Sequence, residues 1–75
     1  MAEINNRIKV YRAEFNLTQE ELADKVGVTR QTIIAVEKNK YVPSLELAFK
    51  LSRVFKQPIE NIFNYKETAT KYHFG

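Results

Sequence analysis

Apolar residues recur along this chain at spacings of three and four, which is the period of an amphipathic helix. The pattern predicts five helices, and the two clearest lie between Thr18 and Lys38. In the first of this pair, over residues 19–26, Leu22 and Val26 share one face with Ala23 beside them. That face is predicted to be buried.

The second helix of the pair is predicted to run from residue 30 to about residue 38. Ile33 and Val36 face inward, three positions apart. The outward positions are Arg30, Gln31, Ile34, Ala35 and Lys38. This helix is therefore predicted to present side chains to a partner.

Local signals mark the ends of both helices. Thr18 and Glu21 have the spacing of a capping box, in which each side chain bonds the backbone N–H of the other residue. Gly27 ends the first helix, because glycine takes the left-handed conformation without steric cost. Val28 buries the turn, and Thr29 is predicted to cap the next helix.

A helix before this pair is predicted from a cap at Asn5 or Asn6 to about Phe15. Its buried stripe contains Ile8 and Tyr11. Asn16 is predicted to end it, because asparagine tolerates the left-handed conformation.

Two further helices follow the pair. Pro43 and Ser44 begin a fourth helix, the longest, and Gln57 and Pro58 break the chain before a short fifth helix over residues 59–63. The fourth has a broad apolar face, predicted to be buried, formed by Leu45, Leu47, Ala48, Leu51, Val54 and Phe55.

Composition narrows the possible functions of these 75 residues, which form one small domain. Without cysteine, no disulfide or thiolate metal site is expected. His73 is the single histidine, so we expect no enzyme active site, metal or cofactor. No leader and no run near about 18 apolar residues is seen, which predicts a cytoplasmic protein without a membrane partner.

The formal net charge is +3 and the isoelectric point is about 9.3, which suits a polyanionic partner without specifying one. The distribution is more informative than the total. Cations lie in or next to the first three predicted helices, namely Lys9, Arg12, Arg30, Lys38 and Lys40, whereas Glu3, Glu60 and Glu67 lie toward the ends.

Counting from Gln19, the segment 19–38 resembles the helix-turn-helix of the Cro/C1-type (Xre) family of DNA-binding regulators. The family's small residue corresponds to Ala23 and its turn glycine to Gly27, and its apolar positions correspond to Leu22, Val26, Val28, Ile33 and Val36. The resemblance covers about residues 8–63 and is strongest to the compact subgroup that includes a cytolysin repressor.

The resemblance implies an all-α, five-helix, lambda-repressor-like DNA-binding domain over residues 1–66. In the cytolysin repressor of that subgroup, a short N-terminal strand pairs with a strand just after the fifth helix. Residues 2–4 and 63–66 are expected to form such a two-stranded ribbon. Residues 67–75 would be a tail, either frayed or covering an interface with Tyr72 and Phe74.

The resemblance also implies that the second helix of the pair enters the major groove of double-stranded DNA. Arg30 could then donate to guanine, Gln31 could pair with adenine, and Ile34 could pack on a thymine methyl group. The alternative for each is an ordinary solvated helix face. Phosphate contacts are expected from Gln19, Thr29, Thr32, Lys38, Lys40 and Tyr41. Arg12 and Glu37 are expected to form a structural ion pair between the first and third helices.

The implied function is that of a sequence-specific transcriptional regulator, most readily a repressor, acting as a homodimer on a pseudo-palindromic operator. Candidate dimer contacts are Ile59, Ile62, Phe63 and Tyr65, with Ile62 and Phe63 equally compatible with plain core positions. An alternative is an antitoxin or adaptor whose main partner is another protein, bound through the C-terminal tail.

Overall fold

The computed structural model describes residues 2–67, which form five helices and a two-stranded sheet. The elements in chain order are β1 (Ala2–Asn6), α1 (Ile8–Glu14), α2 (Gln19–Val26), α3 (Arg30–Glu37), α4 (Leu45–Phe55), α5 (Ile59–Ile62) and β2 (Phe63–Glu67). The prediction of a five-helix domain with a terminal ribbon is confirmed.

The core lies where all five helices meet, and each helix contributes to it. Its buried members are Ile8, Leu22, Ala23, Val26, Ile33, Val36, Leu47, Leu51, Phe55 and Ile62. Full burial of one such large aliphatic or aromatic side chain contributes about 1.5–3 kcal/mol. The presence of Leu22, Val26, Ile33 and Val36 in this core confirms the inward faces predicted for α2 and α3.

The apolar face of α4 is narrower than predicted. Leu47, Leu51 and Phe55 are buried, but Leu45 is 71% exposed, so its prediction as a core residue was wrong. Leu45 lies two residues before Leu47, which places it on nearly the opposite side of a helix with 100° per residue. Phe49, one turn after Leu45, is also exposed, so α4 has a second apolar stripe outside the core.

Most of the predicted helix ends are present. Thr18 Oγ1 accepts from the N–H of Glu21 at 3.0 Å, and Glu21 Oε1 accepts from the N–H of Thr18 at 2.8 Å, which completes the capping box. At α1 the residue before the helix is Arg7, but Asn6 Oδ1 accepts from the N–H of Ile8 at 3.1 Å. The left-handed positions after helices are Asn16, Gly27, Asn39 and Lys56.

The two strands pair antiparallel, with Ile4 opposite Tyr65 and Asn6 opposite Phe63. The ribbon reaches Asn6 in β1 and Glu67 in β2, and is thus longer than predicted. The N–H of Arg7 donates to the carbonyl of Ile62 at 2.8 Å, which joins the ribbon to the start of α1. The predicted roles of Tyr72 and Phe74 lie outside the described residues.

Within the part of the chain that the structure describes, none of the helices has the length and apolarity needed to span a membrane.

Candidate nucleic-acid interface

The turn between α2 and α3 fixes how α3 crosses the domain. Gly27 has a φ of 72°, and the N–H of Val28 donates to the carbonyl of Ala23 at 3.0 Å. Beyond the turn, Ile33 and Val36 are almost completely buried in the core. Since α3 is held through one face, its opposite face is available for contact with another molecule.

That opposite face carries both polar and apolar side chains. Arg30, Gln31 and Lys38 are exposed, whereas Ile34 and Ala35 are partly buried. Arg30 and Gln31 lie in the first turn of α3, at the end that follows the sharp bend. The structure thus brings the three predicted base-contacting residues, Arg30, Gln31 and Ile34, together on one short helix.

Two threonines form a hydroxyl pair at the N-terminal end of α3. Thr29 Oγ1 accepts from the N–H of Thr32 at 3.2 Å, which confirms the predicted cap. The two hydroxyl oxygens are 3.1 Å apart, so one donates to the other. Thr29 is exposed and Thr32 half-buried, and both are adjacent to Arg30 and Gln31.

Glu37 joins α1, α2 and α3 through its carboxylate. Arg12 Nε donates to Glu37 Oε2 at 2.9 Å, which confirms the predicted ion pair, and only 8% of the Glu37 side chain is exposed. Gln19 Nε2 donates to Glu37 Oε1 at 3.2 Å, a bond that we did not predict from the sequence. Arg12 Nη1 also donates to the carbonyl of Leu17 at 3.0 Å, so the guanidinium is well satisfied.

This network affects the expected charge distribution and the role of Gln19. The positive charge of Arg12 is compensated by Glu37, which leaves Arg30, Lys38 and Lys40 as exposed cations on or next to α3. A glutamine amide carries two N–H donors. The bond to Glu37 uses one of them and fixes the orientation of the amide at the start of α2.

The loop after α3 carries the remaining phosphate candidates. Lys38, Lys40 and Tyr41 are exposed, with 49% of Tyr41 accessible. They follow one another around the C-terminal end of α3, where the Gln19 amide also lies through its bond to Glu37, while the threonine pair lies at the beginning of α3. The six candidates therefore flank both ends of the exposed α3 face.

The four candidate dimer residues differ in how exposed they are in the protomer. Ile62 is completely buried within the protomer, so its core interpretation holds and the prediction of it as an interface residue was wrong. Ile59 and Phe63 are half-buried, and Phe63 also packs against the core. Tyr65 is 63% exposed and lies in β2, outside the core.

An apolar groove of about 300 Å³ lies between the ribbon, the loop before α4, and α5. Val42 and Leu45 on its rim are 65% and 71% exposed, values that are high for aliphatic side chains. The lining residues are Ile4, Val42, Pro43, Leu45, Ala48, Ile59 and Phe63. We did not predict this groove, although the off-stripe position of Leu45 in α4 was a usable signal.

The capping box also affects the pKa of Glu21. Hydrogen bonding of the Glu21 carboxylate to Thr18, first to its backbone N–H and then to its hydroxyl, lowers the pKa of Glu21 below the ordinary glutamate value. Desolvation opposes this to a smaller extent, and Lys25 lowers the pKa slightly further. Glu21 is therefore held as a carboxylate at the N-terminal end of α2, where the helix dipole also favours negative charge.

Two capped helices at a sharp turn, with the second exposing arginine, glutamine and lysine, define a helix-turn-helix DNA-binding module. The family model described as Helix-turn-helix matches residues 8–62. The chain thus belongs to the helix-turn-helix family of Cro/C1 (Xre) type, and it is a transcriptional regulator with a helix-turn-helix DNA-binding domain.

Individual relatives agree with this assignment. The chain is 59% identical over 64 residues to an uncharacterized HTH-type transcriptional regulator of Methanocaldococcus jannaschii, covering 85% of this chain and 97% of that protein. It is 36% identical over 64 residues to the cryptic phage CTXphi transcriptional repressor RstR of Vibrio cholerae, covering 85% of this chain and 58% of the repressor. A crystal structure of a Bacteroides fragilis protein superposes with a TM-score of 0.72 at 33% identity, over 81% of this chain and 98% of that one.

Proposed function

We propose that this regulator is a sequence-specific repressor that reads a pseudo-palindromic operator as a homodimer, with α3 in the major groove of double-stranded DNA. The observation that carries the proposal is the exposed face of α3. It places Arg30 and Gln31 in the first turn of a helix whose other face is fixed in the core.

The base contacts follow from side-chain chemistry. Arg30 can donate two hydrogen bonds to the O6 and N7 atoms of guanine, and Gln31 can form a bidentate pair with adenine. Ile34, one turn further along α3, is partly exposed and can pack on a thymine methyl group. Ala35 is too short to compete with these contacts and permits close approach of the helix.

Phosphate contacts would hold α3 in register without reading sequence. The second N–H donor of the Gln19 amide, oriented by Glu37, is available to a phosphate oxygen at the N-terminal end of α2. Because Glu37 is the last residue of α3, this amide lies at the same end of α3 as the exposed loop that carries Lys38, Lys40 and the Tyr41 hydroxyl. Thr29 and Thr32 would contact a phosphate at the N-terminal end of α3.

The groove supports a second copy of this chain as the dimer partner. Exposed leucine, valine and tyrosine side chains line or adjoin it, and their burial would be favourable in proportion to the apolar area removed from water. Val42 on its rim directly follows the phosphate candidate Tyr41, so the groove is continuous with the face proposed to contact DNA. A two-fold axis near the groove would present both copies of α3 to one side of the duplex, as a palindromic operator requires.

Repression is the mode favoured by the similarity to the phage repressor, and a dimer bound over a promoter can repress simply by excluding polymerase from that site. Because Ile62 is buried within the protomer, the proposed dimer interface consists of Ile59, Phe63 and Tyr65, together with the groove residues Val42 and Leu45.

Fluorescence anisotropy tests the proposal with a duplex from the region upstream of the protein's own gene and a scrambled duplex of equal composition. Each is titrated at several salt concentrations. Binding about a thousandfold tighter to the upstream duplex supports sequence-specific recognition. Equal and steeply salt-dependent binding to both, with no preferred site selected from a random duplex pool, would contradict it.

A further inference from the structure

A side chain from the N-terminal strand holds the C-terminal end of α3. Asn6 Nδ2 donates to the carbonyl oxygen of Val36 at 2.9 Å and lies 3.4 Å from that of Glu37. Both carbonyls belong to the last turn of α3, where an isolated helix leaves its carbonyl groups without partners. Asn6 therefore supplies a cap to α3 from a distant part of the sequence.

The residue that ends α3 belongs to the same cluster. Asn6 Nδ2 also donates to Asn39 Oδ1 at 2.8 Å, and Asn39 Nδ2 donates to Asn5 Oδ1 at 3.3 Å. Asn39 has a φ of 60°, and its backbone N–H donates to the carbonyl of Val36 at 3.0 Å. Its backbone thus closes the end of α3, and its side chain ties that end to β1.

Asn6 also connects to the rest of the fold. Its Oδ1 accepts from the N–H of Ile8, and the next residue, Arg7, donates its N–H to the carbonyl of Ile62 in α5. In the ladder, Asn6 lies opposite Phe63, one of the proposed interface residues. One side chain therefore contacts α1 and α3 from within the ribbon that borders the groove.

We propose that Asn6 is a positioning residue for DNA recognition, because it fixes the tilt of α3 relative to the ribbon and the dimer groove. This inference rests on the proposed function, since it assumes that α3 reads bases. The eight residues of α3 span about 12 Å, so a small tilt at its C-terminal end moves Arg30 and Gln31 relative to the bases. The tilt would also move Lys40 and Tyr41, which follow Asn39 directly.

Three substitutions separate this role from general stability. Asn6→Asp keeps an oxygen that can accept from the N–H of Ile8, but a carboxylate cannot donate to Val36 and adds negative charge at the C-terminal end of α3. Asn39→Gly removes the side-chain link and keeps the left-handed backbone. Asn64→Asp is the matched control, because Asn64 is an exposed asparagine on the other strand of the ribbon.

Hydrogen exchange measured by NMR without DNA tests the anchoring itself. The N–H groups of Lys38, Asn39 and Lys40 donate to carbonyls in the last turns of α3. In Asn6→Asp they should exchange about tenfold faster than in the native protein, with unchanged exchange in α2 and in the Asn64→Asp control. Unchanged exchange at the end of α3 would overturn the anchoring role.

Anisotropy then tests positioning, below the melting temperature of every variant and at equal folded fractions. The probes are the upstream duplex and its scrambled counterpart. Asn6→Asp should lose about tenfold affinity for the upstream duplex beyond the loss in Asn64→Asp, and Asn39→Gly about threefold, with no such excess on the scrambled duplex.

If Asn6→Asp and Asn64→Asp lose the same affinity on both duplexes, the loss is explained by the added negative charge alone. That result would overturn the positioning role. If the native protein does not prefer the upstream duplex or any selected site, the proposed function fails and this role fails with it. The exchange measurement would still decide whether Asn6 anchors α3.

Discussion

Single residues with several hydrogen-bond partners determine how the three N-terminal helices meet. Glu37 accepts hydrogen bonds from Arg12 and Gln19 while almost fully buried. A buried carboxylate is tolerated only when it is paired, because its removal from water costs several kcal/mol. The Arg12 and Glu37 pair was predictable through family resemblance, but the bond from Gln19 was not, because nothing in a sequence pattern orients one amide.

Glu37→Ala should lower the free energy of unfolding by about 3 kcal/mol, because Arg12 keeps its charge in a largely buried position with only the Leu17 carbonyl as partner. Thermal unfolding followed by circular dichroism measures the change, and a drop of more than about 10 °C is expected. The double variant Arg12→Leu, Glu37→Leu serves as the control and should lose less, because it leaves no unpaired charge. An unchanged melting curve for Glu37→Ala would contradict the structural role of the pair.

Glu21 makes a pH-dependent contribution to stability through the capping box. Its pKa is lower in the folded protein, so the unfolded chain binds the proton more readily. The contribution is therefore present above the ordinary glutamate pKa of about 4.3 and is lost as the pH falls through the lower, folded value.

Glu21→Gln should keep the capping box, since a glutamine oxygen can also accept from the N–H of Thr18. The variant should melt near the native temperature at neutral pH, and its melting temperature should decline less than that of the native protein as the solution is acidified. Melting temperatures across an acid titration measure this difference. Parallel acid profiles for the two proteins would refute the proposed linkage.

Among the helices and strands, local sequence signals predict where a helix begins and ends better than they predict which other residues it contacts. The bounds of α2 match the prediction at residues 19 and 26, because a capping box and a glycine specify them within a few positions. The exposed position of Leu45 could not be assigned by apolarity alone, since it depends on which side of α4 the core lies. The contact of Asn6 with α3 spans thirty residues and depends on the whole fold.

Gly27→Ala should destabilise the protein by about 1 kcal/mol, because φ at this position is 72° and alanine is strained there. Crowding adds little, since a Cβ would meet only Lys50 Nζ at an ordinary 3.9 Å. Urea unfolding measures the loss. Gly27→Asn should lose less, and Lys56→Gly, at another left-handed helix end, should gain stability. A Gly27→Ala protein as stable as the native one would contradict this explanation of the turn.

At the scale of the whole molecule, the fold separates a core that fixes α3 from two exposed surfaces. One surface is the face of α3 with its flanking donors, and the other is the apolar groove next to the ribbon. The fold class and the first surface were predictable from the helix-turn-helix pattern. The groove was not, because its lining comes from β1, from residues 42–48, from α5 and from β2, which meet only in the folded protein.

Leu45→Asp should disrupt the proposed dimer while leaving the protomer folded, because Leu45 is largely exposed and lines the groove. Sedimentation equilibrium should give twice the 8.8 kDa protomer mass for the native protein and about the protomer mass for the variant. Val10→Asp is the control, since Val10 is also exposed but lies on α1 outside the groove lining. A native protein that sediments as a monomer, or a Leu45→Asp protein that stays dimeric, would refute this interface.

Gln31→Ala tests most directly whether side chains of α3 read base identity. Affinities of the native protein and the variant are measured by anisotropy on the preferred duplex and on duplexes carrying each single base-pair change in one half-site. The variant should lose about 1–3 kcal/mol on the preferred duplex and become indifferent to base identity at one position, keeping its discrimination elsewhere. A uniform loss at every position, or an unchanged base preference, would contradict direct readout by α3.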